Sequence, residues 1–437
     1  MIPTFLKLVR WGIGHVDGDV TMPDRVDWKR MLPLAARQGL SAVVLDGVEE
    51  WKRMAEESGK GDAAAIATAG EGGANAGRGR EESQAFPPAG VLVPWVGEVF
   101  QNYERRYGLY QRTLGEMASF YEDHGLKMMV LKGYACSLDW PRPEHRPAGD
   151  IDIWLFGEYK RADELLQREK GIAVDTGHHH HTVFYWGDFM VENHYDFLNL
   201  QHHRSNAGIE KVLKELGMDD SRSVDLGGSR VYLPAPNLHA LFLLRHAMTH
   251  FASTDINLRQ LLDWAFFVQA HSSEVDWKWL TGMLEEYGMM RLFHLFNAIC
   301  VEDLGFDAGL FPTYCGTSAG NGRDCETTGM GGKVGQTVEE TQASAGNGSN
   351  RVVAGAGNAA EEGMAAVVDE ALKDRVLREL ISPEFAGQTP AKLLPRVLFK
   401  YRRWRANRWK HELCFNESLW SAFWTGIWGH LTQPNSI

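Results

Sequence analysis

Asp150 and Asp152 stand between apolar neighbours in the run Gly149-Asp150-Ile151-Asp152-Ile153. In an extended strand, residues two apart face the same side, so both carboxylates are expected to project together. Their Cα atoms would lie about 6.6 Å apart, at a rise of about 3.3 Å per residue. Two like charges at that spacing repel, which makes them poor companions in a dry core. A divalent cation relieves the repulsion, and hard oxygen ligands suit magnesium. A third carboxylate, Glu192, falls on a later strand-like run, with His194 and Asp196 on its face by alternation. Carboxylates from two neighbouring strands can hold two magnesium ions. Such a pair aligns an attacking hydroxyl with the α-phosphate of a nucleotide and stabilises the pyrophosphate that leaves.

Upstream stands Leu131-Lys132-Gly133. A glycine there would let the main chain approach a triphosphate closely. Lys132 is placed at the same phosphate site, and Arg146 is expected either to contact phosphate or to brace the carboxylate strand.

These residues need elements to position them. Leu126 to Leu131 and Ile151 to Phe156 are short apolar runs that read as buried strands. Thr182 to Trp186 and Phe189 to Phe197 read as a hairpin across Gly187-Asp188, where glycine in first place suits a type II′ turn. Gly157 opens a helix through Glu169. Helical spacing runs from Asp27 to Met54 with a stop at Gly39, and from about Pro94 to His124 with Gly125 as a C-terminal cap. It returns at Leu238 to Met248, Leu258 to His271, Trp277 to Tyr287 and Ala365 to Leu380. The expected fold is α+β, a small mixed β-sheet core flanked by N-terminal and C-terminal helical regions. Ser58 to Ala85 is rich in Gly and Ala, and Gly316 to Gly363 in Gly, Ala, Thr and Asn; both read as disordered. The divisions are then a helical region 1–57, an insertion 58–90, a core 91–200, a helical substrate-covering domain 201–315, a second insertion 316–363 and C-terminal helices 364–437.

The chain has 437 residues, 44% hydrophobic and 23% charged, an ordinary globular balance. A net charge of -12 argues against a protein-wide grip on nucleic acid. Lys400 to Lys410, with Tyr401, Trp404 and Trp409 interleaved, reads as an amphipathic helix with packed aromatics and wet cations. Five scattered cysteines form neither a disulfide framework nor a zinc knuckle, which suggests reduced thiols in the cytoplasm. The N-terminus lacks the apolar core of a signal peptide, and Leu413 to Leu431 is too polar and short for a good membrane span. The run His178 to His181 looks like a metal tract, but four adjacent histidines cannot all face one way, and a solvated loop is expected. His246 and His250 share a helix face and are read as structural or substrate-lining.

The order of glycine turn, Asp-x-Asp between apolar residues and a later acid resembles the polymerase-beta-type nucleotidyltransferase superfamily. It is most similar to the branch known only as uncharacterised nucleotidyltransferases. The residues that carry the likeness are Leu131-Lys132-Gly133, Arg146 four before Asp150, and Glu192-Asn193-His194. Asp27-Trp28 and Leu258-Arg259-Gln260-Leu261-Leu262-Asp263 resemble its helical flanks. The wider superfamily usually has Ser after the turn glycine, whereas Tyr134 stands here, so phosphate contact falls to Lys132 or Arg146. The resemblance implies a nucleoside triphosphate as co-substrate, with ATP among the candidates, and two Mg2+ ions bridged by Asp150 and Asp152. Glu192 would complete the metal site and assist deprotonation of an acceptor hydroxyl, and His194 would lie at the nucleotide. The acceptor stays open between RNA, a small molecule and a protein side chain. A nucleotide- or partner-binding relative that has lost the chemistry is the alternative.

Overall fold

A computed structural model describes residues 1–16, 21–23, 25–57, 86–201, 203–253, 256–311, 368–385, 390, 392–421 and 424. Of the two expected insertions, 58–85 and 316–363 lie outside the described residues. Residues 86–90 are described, and they are ordered against the sequence expectation. Phe86 stacks on Trp51 with centroids 3.8 Å apart, and a helix begins at Ala89.

The chain opens with α1 (Ile2–Gly12), α2 (Trp28–Arg37) and α3 (Ser41–Glu57). Asp27 caps α2 by accepting from the Arg30 amide, which satisfies one of the free donors of its first turn. The long helix expected near Pro94 is α4 (Ala89–Val99), continued by a π-helical turn at Phe100–Glu104 into α5 (Arg105–Asp123). The central part alternates strands and short helices. These are β1 (Met129–Val130), α6 (Tyr134–Ser137), β2 (Ile151–Trp154), α7 (Tyr159–Leu165), β3 (His181–Trp186), β4 (Phe189–His194), α8 (Asn206–Leu216), β5 (Ser223–Leu226) and β6 (Ser229–Tyr232). Helices α9 (Pro236–Ser253), α10 (Leu258–His271), α11 (Trp277–Glu286) and α12 (Met290–Ala298) follow, and then α13 (Glu370–Ile381), α14 (Leu393–Ala406) and α15 (Arg408–Cys414).

The strands form one mixed sheet in the order β3-β4-β2-β1-β6-β5. Gly187 has φ 56° while Asp188 keeps a negative φ, as the type II′ reading of the β3–β4 turn requires. The β5–β6 hairpin was not anticipated, and it extends the sheet beyond the 91–200 stretch. Its two-residue turn is Gly227-Gly228, both at positive φ, a signal that the sequence carried.

The sheet separates two apolar cores, because side chains alternate between its faces. Val130, Ile151, Ile153, Phe184 and Val191 point into a smaller core with α5 and α7. Met129, Leu131 and Trp154 join the large core built by the N-terminal helices and α9 to α12. Polar side chains on that second face therefore emerge where the sheet meets the helical region. Among the described residues, no helix is long and apolar enough to cross a membrane.

Candidate functional site

At this junction lies an open cleft of about 470 Å³, within the usual range of ligand pockets. Lys132, Gly133, Arg146, Asp150, Asp152, Glu192 and His194, the site residues expected from the sequence, all line it. The strands explain most of this convergence. β2 and β4 pair in parallel with Asp152 opposite Glu192 and Trp154 opposite His194. Asp152, Glu192 and His194 thus share a face, and each offers a ligand atom within 4.8 Å of the others. Asn193 faces the other way and donates to Asp163 Oδ1 of α7 at 2.9 Å.

Asp150 is placed differently from the sequence expectation. β2 begins at Ile151, so Asp150 precedes the strand, exposed at the cleft mouth, and lies outside that close group. Its carbonyl, at 2.9 Å, accepts from the Tyr110 hydroxyl of α5. Hemmed in by surrounding protein and near the Asp152 charge, its carboxyl is raised above the ordinary range.

Asp152 is almost wholly buried, at 2% exposure. Burial disfavours its charge, but the Lys132 ammonium at 2.7 Å and His194 Nε2 at 3.1 Å outweigh that and hold it well below the usual carboxylate range. Lys132 keeps a raised pKa despite burial because the Asp152 and Asp150 charges favour its proton. Burial likewise opposes charge on His194, yet its bonds to Asp152 and Glu192 lift it to about 9. Its other nitrogen, Nδ1, is 3.1 Å from the Asp196 carbonyl oxygen, which fixes the ring. Glu192 is lowered against the effect of burial, mainly by hydrogen bonding to His194.

Gly133 sits at φ 54°, ψ -100°, and a Cβ there would lie 2.4 Å from the Tyr110 hydroxyl. Its glycine character therefore has a packing reason beside any ligand. Tyr134, in the place of the usual Ser, is buried in the small core and stacks near Tyr107, so it neither lines nor blocks the cleft. Arg146 braces: Nε and Nη2 reach Asp263 Oδ1 and Oδ2 of α10 at 2.7 and 2.9 Å, a bidentate pair. Trp140 Nε1 donates to the same Asp263 at 2.9 Å.

Arg259 and the histidines are the residues that sequence reasoning underused. Arg259, on the first turn of α10, lines the cleft, and burial together with the neighbouring Arg146 charge lowers its pKa. The run His178 to His181 is no solvated loop at its C-terminal end. His181 starts β3 opposite His194 and is 7% exposed, and the His180 carbonyl accepts from the amides of Tyr195 and Asp196. His246 and His250 line the cleft wall from α9. Away from the cleft, Lys410 is buried in a 2.7 Å ion pair with Glu379, so the basic segment is partly structural. Cys136, Cys300 and Cys414 are buried free thiols.

A family model described as uncharacterised nucleotidyltransferase matches residues 24–305, a span that holds every residue lining the cleft. No curated protein matches the chain. Among solved structures, the crystal structure of an antigenic nucleotidyltransferase-like protein from Paracoccidioides brasiliensis is similar at 12% identity and a TM-score of 0.29. That likeness covers 45% of this chain and 92% of the other.

Proposed function

Since the chain belongs to the uncharacterised nucleotidyltransferase family, we propose that its cleft transfers a nucleoside monophosphate from a triphosphate to an acceptor hydroxyl, releasing pyrophosphate. The observation that carries this reading is the convergence of Asp152, Glu192 and His194 beside Lys132 in one open cleft. Their donor set suits a divalent cation, held by Asp152 and Glu192 with Asp150 at the mouth. When bound, such a cation would orient the attacking hydroxyl and offset charge on the leaving pyrophosphate.

The chain's own groups supply the rest. Lys132 neutralises Asp152 and is free to turn toward phosphate once another cation takes over that charge. Arg259 offers a guanidinium on the opposite wall, suited to bidentate phosphate contact. Arg146 is committed to Asp263 and holds the core against α10. The helices α9 and α10 wall the site.

The test is full-length protein with a divalent cation and each α-labelled nucleoside triphosphate, following label and pyrophosphate. Asp152→Asn should retain the circular dichroism of the parent and lower transfer by roughly 100-fold or more, the scale of losing one preorganised electrostatic group. Undiminished transfer in that variant would overturn the assignment. A second reading, nucleotide binding without transfer, draws on the Lys132–Asp152 bond, which already satisfies the aspartate. Triphosphate binding with no pyrophosphate from any nucleotide would favour it.

A further inference from the structure

We propose that His180, His181 and His194, with Glu192 beside them, form a binding site for a borderline transition metal of the zinc and cobalt class. The inference rests on the reading of this cleft as a cation site and names the metal that its nitrogen-rich wall selects. The three histidines each present a ring nitrogen within 4.8 Å of the others. Their ring centroids are 4.2 Å (His180–His181), 5.3 Å (His181–His194) and 5.5 Å (His180–His194) apart.

The strand register makes the cluster. β3 and β4 are antiparallel with His181 directly opposite His194, so both rings stand on the cleft face. His180 is held next to them by its carbonyl, which accepts from two amides of the segment after β4. Glu192 lies between the rings, its Oε2 3.5 Å from His194 Nε2 and 3.7 Å from His181 Nδ1.

Two further observations point to a ligand. The first is His181 Nδ1, which is buried and makes no hydrogen bond although its side chain is only 9% exposed. Burying a polar nitrogen without a partner is unfavourable, and a metal ion would satisfy it. The second is the Asp196 carbonyl oxygen on His194 Nδ1, which leaves Nε2, 3.1 Å from Asp152 Oδ1 and 3.5 Å from Glu192 Oε2, facing the cluster, where a metal ion would take the place of its proton. Metal-ligating histidines generally hold their other ring nitrogen in this way.

Imidazole nitrogen suits zinc, cobalt and nickel, whereas magnesium takes oxygen ligands. Tetrahedral zinc at about 2.0–2.1 Å from each nitrogen brings the nitrogens to about 3.3 Å from one another. The nitrogens now lie within 4.8 Å of one another, so side-chain rotation has at most about 1.5 Å to close.

The experiment uses full-length protein without a histidine tag, freed of metal and titrated with Co2+ alone, reading the visible ligand-field absorption. One equivalent should give a low-symmetry spectrum that zinc displaces and that a large excess of Mg2+ leaves unchanged. His181→Ala and the partly exposed His180→Ala should each weaken Co2+ binding by about tenfold or more, while His178→Ala/His179→Ala should leave it intact. Circular dichroism checks the fold of each variant, and the half-buried His180 keeps the site testable if His181→Ala fails to fold. No spectrum in the parent overturns the site. So does a spectrum lost only with His178 and His179, which would identify the first half of the run as the binder. Co2+ bound as described, with no nucleotide turned over, would leave the metal site standing and the transfer reading refuted. Transfer with magnesium and no Co2+ site would do the reverse.

Discussion

Replacing Gly133 by alanine would place a methyl group 2.4 Å from the Tyr110 hydroxyl, on a backbone at φ 54°. A side chain in that conformation costs about 1–3 kcal/mol, and the clash adds to it. Gly133→Ala should therefore lower stability by at least that amount in urea unfolding, and by less in a Tyr110→Phe background, where the hydroxyl is gone. Equal losses in both backgrounds would remove Tyr110 from the explanation. At this scale the sequence was readable where period two applied: Asp152, Glu192 and His194 reach one face because each lies inside a paired strand. Asp150 escaped the same argument because the pairing starts one residue later. His181 was read as loop because alternation within a run of identical residues carries no contrast. The partner of Arg146 lay 117 positions away, beyond the reach of any local pattern.

Helix α10 serves the cleft as an element as well as a packing cylinder. Its first turn carries Arg259 and Gln260 to the cleft wall, and Asp263, one turn on, clamps Arg146. Removing one partner of a buried ion pair strands the other charge, at about 3–5 kcal/mol. Asp263→Asn should lower unfolding free energy on that scale, and a loss below about 1 kcal/mol would show that the clamp contributes little. Most helices were readable from apolar spacing and from stops such as Gly39 and Gly125. The missed hairpin β5–β6 is short: exposed Ser223 and Asp225 alternate with half-buried Val224 and Leu226, but over four residues only. Two alternations are too few to mark a strand, and Gly227-Gly228 was the stronger signal.

For the molecule as a whole, the cleft shares its face of the sheet with the large core while the smaller core backs the other face, and Glu210 ties the cleft segment to α8. Its two oxygens accept from the Phe197 and Leu198 amides, each at 2.9 Å, and burial pushes its carboxyl up to about 7. A carboxyl raised in the folded state contributes stability that is complete below its unfolded pKa near 4.5 and is lost as pH rises through about 7. The stability difference between the parent and Glu210→Gln should therefore shift against the parent from pH 4.5 to 7.5, by up to about 3 kcal/mol. Chemical unfolding of both proteins at the two pH values measures it, and a constant difference would refute the raised carboxyl. The division into two cores was not readable from composition, because the partners of each face come from segments far apart in the chain. The turn at Gly187-Asp188 has a consequence for the fidelity of folding. Side chains alternate along β3, so a slip of one residue would turn Thr182, Phe184 and Trp186 toward the cleft and withdraw His181 from it. A misregistered chain could keep its helices and much of its sheet while losing the composition of one wall. Two residues at the far end of a hairpin thus act as proofreader for a surface they never touch.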